Sequence, residues 1–286
     1  MPELPEVETV RRGLELQTLD FTIAKVEVLR PRAIASPAEP HAFCVALQGC
    51  TLRSWTRRGK YLIGSLRRGT QDGGHWGVHL RMTGQFLLLR GQGESPSPPA
   101  CGHTRVRIWN GNGDELRFVD TRSFGQMWWV PPGEALAHVV TGLQKLGPEP
   151  FSDAFNAGYL RSKLKGSQRS IKAALLDQSL VAGVGNIYAD ESLFAAGILP
   201  HTPSGQLTLN RLEVLCKALV DVLHNSIGAG GTTFSDFRDL SGTNGNYGGM
   251  AWVYRRGGAP CRRCGTAIRR EKLGGRSSHW CPNCQH

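Results

Sequence analysis

A chain of 286 residues is long enough for two domains with separate cores. The net charge is +11, and +7 of it falls between Met250 and His286, where eight Lys/Arg face one acid, Glu271. Such an end suits nucleic acid or an acidic membrane surface. No apolar run is long enough to span a bilayer, and the start lacks the basic-then-apolar layout of a signal peptide. A soluble, cytoplasmic protein is therefore expected, with its eight cysteines reduced rather than paired as disulfides.

The opening residues Met1-Pro2-Glu3-Leu4-Pro5-Glu6 support two readings. One is a helix start, with proline in the first turn and acids at the positive end of the dipole. The other is chemical. Removal of Met1, which a small penultimate residue permits, leaves Pro2 as a secondary amine that titrates near pH ~8 and can form an iminium with a sugar aldehyde carbon. A retained methionine would make that nitrogen an unreactive amide.

Leu4, Val7, Val10 and Leu14 are spaced for one face of a helix over 4–17. Strands follow. Ala24, Val26 and Val28 alternate with Lys25 and Glu27, and Val106 and Ile108 with Arg105 and Arg107. Further β-rich runs lie at 60–66, 76–90, 115–119 and 126–130, a density that predicts a β-sandwich. Gly91–Ala100 reads as an exposed loop, and Pro131-Pro132-Gly133 closes the β-rich half, with a hinge ending near Pro148–Pro150.

The second half has helical periodicity at 152–165, 171–182, 188–197 and 208–227. In the last, Leu212, Leu215, Leu219 and Val222 line one face, with Asn210 and Glu213 placed like a capping pair. Gly183-Val184-Gly185-Asn186 is a tight turn opening a helix, where freed amides and Asn186 could hold a phosphate; most such turns only redirect the chain. Cys261-x2-Cys264 and Cys281-x2-Cys284, sixteen residues apart, have the spacing of a four-cysteine zinc ribbon. Four thiolates leave no open coordination position, so one structural Zn²⁺ is expected. Cys44, Cys50, Cys101 and Cys216 read as ordinary buried thiols.

Together these segments resemble the bacterial formamidopyrimidine-DNA glycosylase family. The likeness rests on Pro2 to Glu8, Arg58-Gly59-Lys60-Tyr61, His79-Leu80-Arg81-Met82-Thr83-Gly84, Arg122-Ser123-Phe124-Gly125 and Leu146-Gly147-Pro148-Glu149-Pro150. It continues through Lys172 to Glu191, the helix–two-turn–helix region, and Gly275-Arg276 before the second cysteine pair. It implies an α+β protein with four parts. Residues 1–135 would be a catalytic domain, an N-terminal helix on a β-sandwich, and 136–150 a linker. Residues 151–240 would form a helix–two-turn–helix domain and 241–286 a zinc-finger β-hairpin, with DNA in the basic cleft between.

The resemblance also implies the chemistry: base-excision repair of oxidised purines in double-stranded DNA, by a monomer, with strand cleavage at the resulting abasic site. Pro2 would be the nucleophile and Glu3 the proton donor to the sugar ring oxygen, with Glu6 a supporting carboxylate. Lys60, on a β-turn, would bind the lesion phosphate; read alone it is a surface lysine beside Arg57 and Arg58. Met82, Arg122 and Phe124 would fill the void left by the flipped nucleotide; read alone, Met82 and Phe124 are sheet core. Lys172, Asn186 and Arg276 would clamp phosphates.

Ser123 stands where many members carry a second basic residue, so one phosphate contact is lost or supplied differently. The loop Ser235–Tyr247 corresponds to the lid over the flipped base. Two rival readings stand beside this one. The sister endonuclease VIII branch, acting on oxidised pyrimidines, usually has glycine where this chain has Leu4. A non-catalytic DNA-binding zinc protein would be expected to lack Pro2 or Glu3.

Overall fold

The computed structural model describes residues 1–91, 99–232 and 245–286. The chain forms two compact units, Met1–Gln144 with Gly230–Gly245, and Lys145–Ala229 with Asn246–His286.

The first unit begins with helix α1 (Leu4–Thr18), started by Pro5 in its first turn and by a reciprocal capping box between Glu3 and Glu6. Its predicted apolar face is realised: Leu4, Val7, Val10 and Leu14 are each no more than 1% exposed. Two sheets follow. One has the order β1 (Ile23–Val28), β7 (Thr104–Asn110), β8 (Glu115–Asp120), β6 (Gly84–Leu89). The other runs β2 (Ile34–Ser36), β9 (Gln126–Val130), β5 (Gln71–His79), β4 (Tyr61–Arg68), β3 (Thr51–Arg58). Neighbouring strands are antiparallel except for the parallel β2–β9 pair.

The shared core takes Val10 and Leu14 from α1, Trp55 and Trp76 from the five-stranded sheet, and Phe86, Ile108 and Phe118 from the four-stranded one. Helix α2 (Pro40–Leu47), which the sequence did not signal, adds Phe43 and Leu47. A short α3 (Leu136–Val139) packs over β9. The run 76–90 is not continuous: a turn at 81–83 separates β5 from β6 and carries Met82. Residues 92–98 of the expected loop Gly91–Ala100 lie outside the described residues.

In the second unit, α4 (Ala157–Leu164) starts later than the expected 152, because the Asn156 side chain accepts the Tyr159 N–H and caps it there. Helix α5 (Ile171–Leu176) ends well before 182. The apolar residues beyond it (Leu180, Val181, Ala182, Val184) are buried in turns, not on a helix face. Then come α6 (Asn186–Ala195) and α7 (Leu209–Gly228).

Leu212, Leu215, Leu219 and Val222 form the buried face of α7 as expected. Its cap is not the Asn210/Glu213 pair: Thr208 is the N-cap, its hydroxyl accepting the Arg211 N–H at 3.4 Å. Asn210 and Glu213 already lie inside the helix. After α8 (Tyr247–Met250) the chain ends in the hairpin β10 (Arg269–Leu273) and β11 (Arg276–Trp280). Leu273 pairs with Arg276 across Gly274-Gly275, both at positive φ as a two-residue hairpin turn requires. No helix among the described residues is long and apolar enough to cross a membrane.

Candidate active site, DNA-contacting residues and metal centre

Pro2 and Glu3 are buried at the start of α1. Glu6, 1% exposed, spends both carboxylate oxygens on backbone amides: Oε2 accepts the Glu3 N–H at 2.8 Å and Oε1 the Thr232 N–H at 2.8 Å. It therefore fixes the backbone of Glu3 and docks residue 232, directly before the stretch 233–244, which is not described. The expected lid Ser235–Tyr247 falls largely in that stretch; only Gly245–Tyr247 are described.

Lys60 sits in the β3–β4 turn and is 7% exposed, unlike the solvated lysine its neighbours suggested. The turn is tied to α1 through Arg57, which donates to the Gly59 carbonyl (2.9 Å) and to Glu8 (3.2 Å). Burial pushes Glu8 up, but its partners Arg11, Arg12 and Arg57 outweigh this and hold it below the usual carboxylate range.

His79, at the end of β5, accepts the Arg81 N–H on Nδ1 at 2.9 Å. Burial first, then the charges of Arg81 and Lys60, depress its pKa to about 3. The ring stays neutral in the fold, whereas an unfolded histidine protonates near pH ~6.5. The unfolded chain thus binds the extra proton between these values. His79 costs no stability above pH ~6.5, and stability is lost as pH falls from there towards 3. Between pH ~6.5 and ~5 the loss is about 2 kcal/mol. Urea midpoints should fall over this interval, and less steeply in a His79→Gln variant.

Met82 and Phe124 are each 38% exposed, not sheet core. They line a cavity of about 380 Å³ with Met1, Arg32, Arg81, Ser123 and Gln126, which brings the chain start to the same surface. Arg122 is exposed, its guanidinium 5.1 Å from the Phe124 ring centroid, and Arg32 lies at 5.6 Å from the same centroid. These exposed apolar groups rimmed by cations suit insertion beside bases.

In the second unit, Lys172 is buried, its Nζ 2.6 Å from Asp190 and 2.7 Å from the Ser277 carbonyl. Asn186, first residue of α6, donates from Nδ2 to the same carbonyl at 2.9 Å. Arg276, the first residue of β11, is exposed one position before Ser277. All three expected phosphate residues thus meet around the hairpin.

Asp190 and Glu191 were not singled out by sequence, yet both are buried and organise this end. Asp190 also accepts the His279 N–H at 3.0 Å, and Glu191 accepts three successive amides, from Trp252, Val253 and Tyr254, at 2.8–2.9 Å. Neither acid carries a local signal of this role: the amides they accept lie 61–89 residues away in sequence.

The sulfurs of Cys261, Cys264, Cys281 and Cys284 all lie within 4.8 Å of one another, with Cys264–Cys281 at 3.5 Å and Cys261–Cys284 at 3.9 Å. Tetrahedral zinc with Zn–S bonds of ~2.3 Å needs sulfurs ~3.8 Å apart. The donor set fits and would close the coordination sphere. Of the other cysteines only Cys50 is fully buried; Cys44 and Cys216 are partly so, and Cys101 is exposed near the end of a loop, contrary to expectation.

Family models agree with this arrangement. Residues 1–127 match the formamidopyrimidine-DNA glycosylase N-terminal domain, 146–238 its H2TH domain, and 258–286 a zinc finger found in FPG and IleRS. Formamidopyrimidine-DNA glycosylases of Prochlorococcus marinus (strain MIT 9313) and Parasynechococcus marenigrum (strain WH8102) are each 66% identical, with both chains fully covered. The chain belongs to the formamidopyrimidine-DNA glycosylase family.

Among solved structures, a complex of a Lactococcus lactis FPG mutant with Fapy-dG-containing DNA aligns with TM-score 0.89 and 34% identity over all of both chains. A complex of Lactococcus lactis Fpg with abasic-site DNA gives 0.89 and 34% over 99% of each. Another, of the wild-type protein with DNA containing an oxidised pyrimidine, gives 0.88 and 34% over all of both. The zinc-finger match and the sulfur cluster together make the four cysteines a structural zinc site.

Proposed function

We propose that the chain is a DNA glycosylase with abasic-site lyase activity that removes oxidised purines, 8-oxoguanine and formamidopyrimidines, from double-stranded DNA. The observation that carries this reading is 66% identity, over the full length, to enzymes of that name in a chain that keeps Pro2 and Glu3. The enzyme would act as a cytoplasmic monomer on chromosomal DNA.

In this reading the chain starts at Pro2, whose nitrogen lone pair attacks C1′ of the flipped nucleotide. The bond from C1′ to the base breaks and the base leaves with a proton. Glu3 protonates the ring oxygen O4′ as the C1′–O4′ bond opens, leaving an iminium between C1′ and the proline nitrogen. That cation acidifies the C2′ hydrogen. Loss of this proton expels the 3′ phosphate (β-elimination), and a second elimination expels the 5′ phosphate, leaving a one-nucleotide gap.

Glu6 holds Glu3 in place through its backbone amide, and Lys60 takes the lesion phosphate. Met82, Arg122 and Phe124 fill the void, Arg122 hydrogen-bonding the orphaned cytosine. Asn186 and Arg276 contact phosphates, with Lys172 beneath them on the Ser277 carbonyl. Zinc supplies rigidity to the hairpin that carries Arg276 and takes no part in bond breaking.

One observation favours a wider substrate range: the Lactococcus lactis structure with an oxidised pyrimidine. The test is single-turnover cleavage of duplexes carrying 8-oxoguanine or an oxidised pyrimidine, resolving the ends produced. Phosphates on both sides of a one-nucleotide gap, with the purine lesion cut faster, are expected. A faster pyrimidine lesion would move the chain to the sister activity. Tight binding without cleavage would make it a binding protein.

A further inference from the structure

Asp120, the last residue of β8, is fully buried, and neither of its carboxylate oxygens serves its own strand's ladder. Oδ1 accepts the Thr83 hydroxyl and the Arg122 N–H (3.2 Å), and Oδ2 accepts the Gly125 N–H at 2.6 Å. Thr83 Oγ1 in turn accepts the Arg122 N–H at 3.1 Å. One carboxylate therefore joins two turns about forty residues apart. The first, 81–83, displays Met82; the second, 121–125, displays Arg122 and Phe124.

Both turns contain an L-residue in the left-handed region, Arg81 at φ +54° and Ser123 at φ +55°. Each such residue is strained and persists only where its surroundings hold it. Arg81 is held by the His79 ring and by its own guanidinium on Gln126 (2.7 Å). Ser123 lies between the two amides, of Arg122 and Gly125, that Asp120 accepts. The bases of both turns press on one ring: a Cβ at Gly84 would come within 2.8 Å of Phe118 Cζ, and one at Gly125 within 2.5 Å. A buried aspartate capping its own turn is commonplace. One that also binds a second turn, where both turns expose apolar side chains, has a relative placement to maintain.

We infer that Asp120, with Thr83 as its bridge, is a positioning residue that fixes Met82 relative to Arg122 and Phe124, so that the three enter the duplex as one unit. This rests on the void-filling role proposed above. The consequence is selectivity: the Arg122 donors meet the opposing base correctly only if Met82 occupies the gap at the same time.

The experiment compares wild type with Thr83→Val, Thr83→Ser and Asp120→Asn in single-turnover excision of 8-oxoguanine opposite cytosine and opposite adenine. Fluorescence of a 2-aminopurine placed next to the lesion reports insertion. Valine keeps the shape of Thr83 but removes the hydroxyl; serine keeps the hydroxyl. The inference expects Thr83→Val and Asp120→Asn to slow excision opposite cytosine by at least tenfold. They should compress the cytosine-to-adenine rate ratio by a similar factor and weaken the insertion signal, while Thr83→Ser stays near wild type.

Equal slowing opposite both bases would mean a merely structural role and would overturn the inference. So would Thr83→Val matching Thr83→Ser. Should Asp120→Asn fail to fold, the Thr83 pair decides alone. Absence of excision by wild type would instead refute the underlying functional reading, before any variant is compared.

Discussion

Glu3→Gln is expected to slow base excision by about 10²- to 10⁴-fold, the usual worth of a positioned proton donor. The amide keeps the size of the side chain and an oxygen to accept the Glu6 N–H of the capping box, and the Glu3 backbone N–H still donates to Glu6. The thermal midpoint should therefore stay close to that of the parent while the single-turnover rate collapses. Single-turnover excision and thermal denaturation on the same preparations check this. A variant that loses stability in step with activity would show Glu3 to be a helix cap and nothing more.

Removal of zinc has the second large effect. Binding free energies of structural zinc, about 10–16 kcal/mol in small zinc modules, are folding free energies, because the unfolded chain has no preformed site. Cys281→Ser is expected to lose the metal and unfold the β10–β11 hairpin. The Ser277 carbonyl that receives both Lys172 and Asn186 then goes, and Arg276 loses its fixed place. Affinity for duplex DNA should fall at least about tenfold, and the slope of log K against log salt should flatten by roughly 2–3. Arg276→Ala alone, with zinc retained, should flatten it by about 1. Zinc content and salt titrations on the three proteins check both expectations.

The parts legible in the sequence were those written in local spacing. The buried face of α1 followed from Leu4, Val7, Val10 and Leu14, that of α7 from Leu212 to Val222, and the metal centre from two Cys-x2-Cys pairs. Helix ends were misjudged where a neighbour decided them. Asn156 starts α4 late, and α5 stops at Leu176 although apolar residues continue, because those residues are buried in turns. Periodicity cannot separate a helix from a buried turn of similar composition.

Contacts between distant segments left no local trace. Glu6 on Thr232, Asp190 on Lys172 and His279, and Asp120 on Thr83 each join residues separated by 18 to 226 positions. Asp190 and Glu191 close the Lys172–Glu191 segment, whose local pattern gives neither a role. Only the fold reveals that these acids are buried anchors.

The most direct test of the account is borohydride trapping on a duplex with one 8-oxoguanine opposite cytosine, using protein whose N-terminal mass has been verified. Reduction of the iminium should give a covalent protein–DNA adduct that maps by peptide sequencing to Pro2. Protein that keeps Met1 should give none. An adduct at a lysine, or equal trapping with Met1 in place, would contradict Pro2 as the nucleophile.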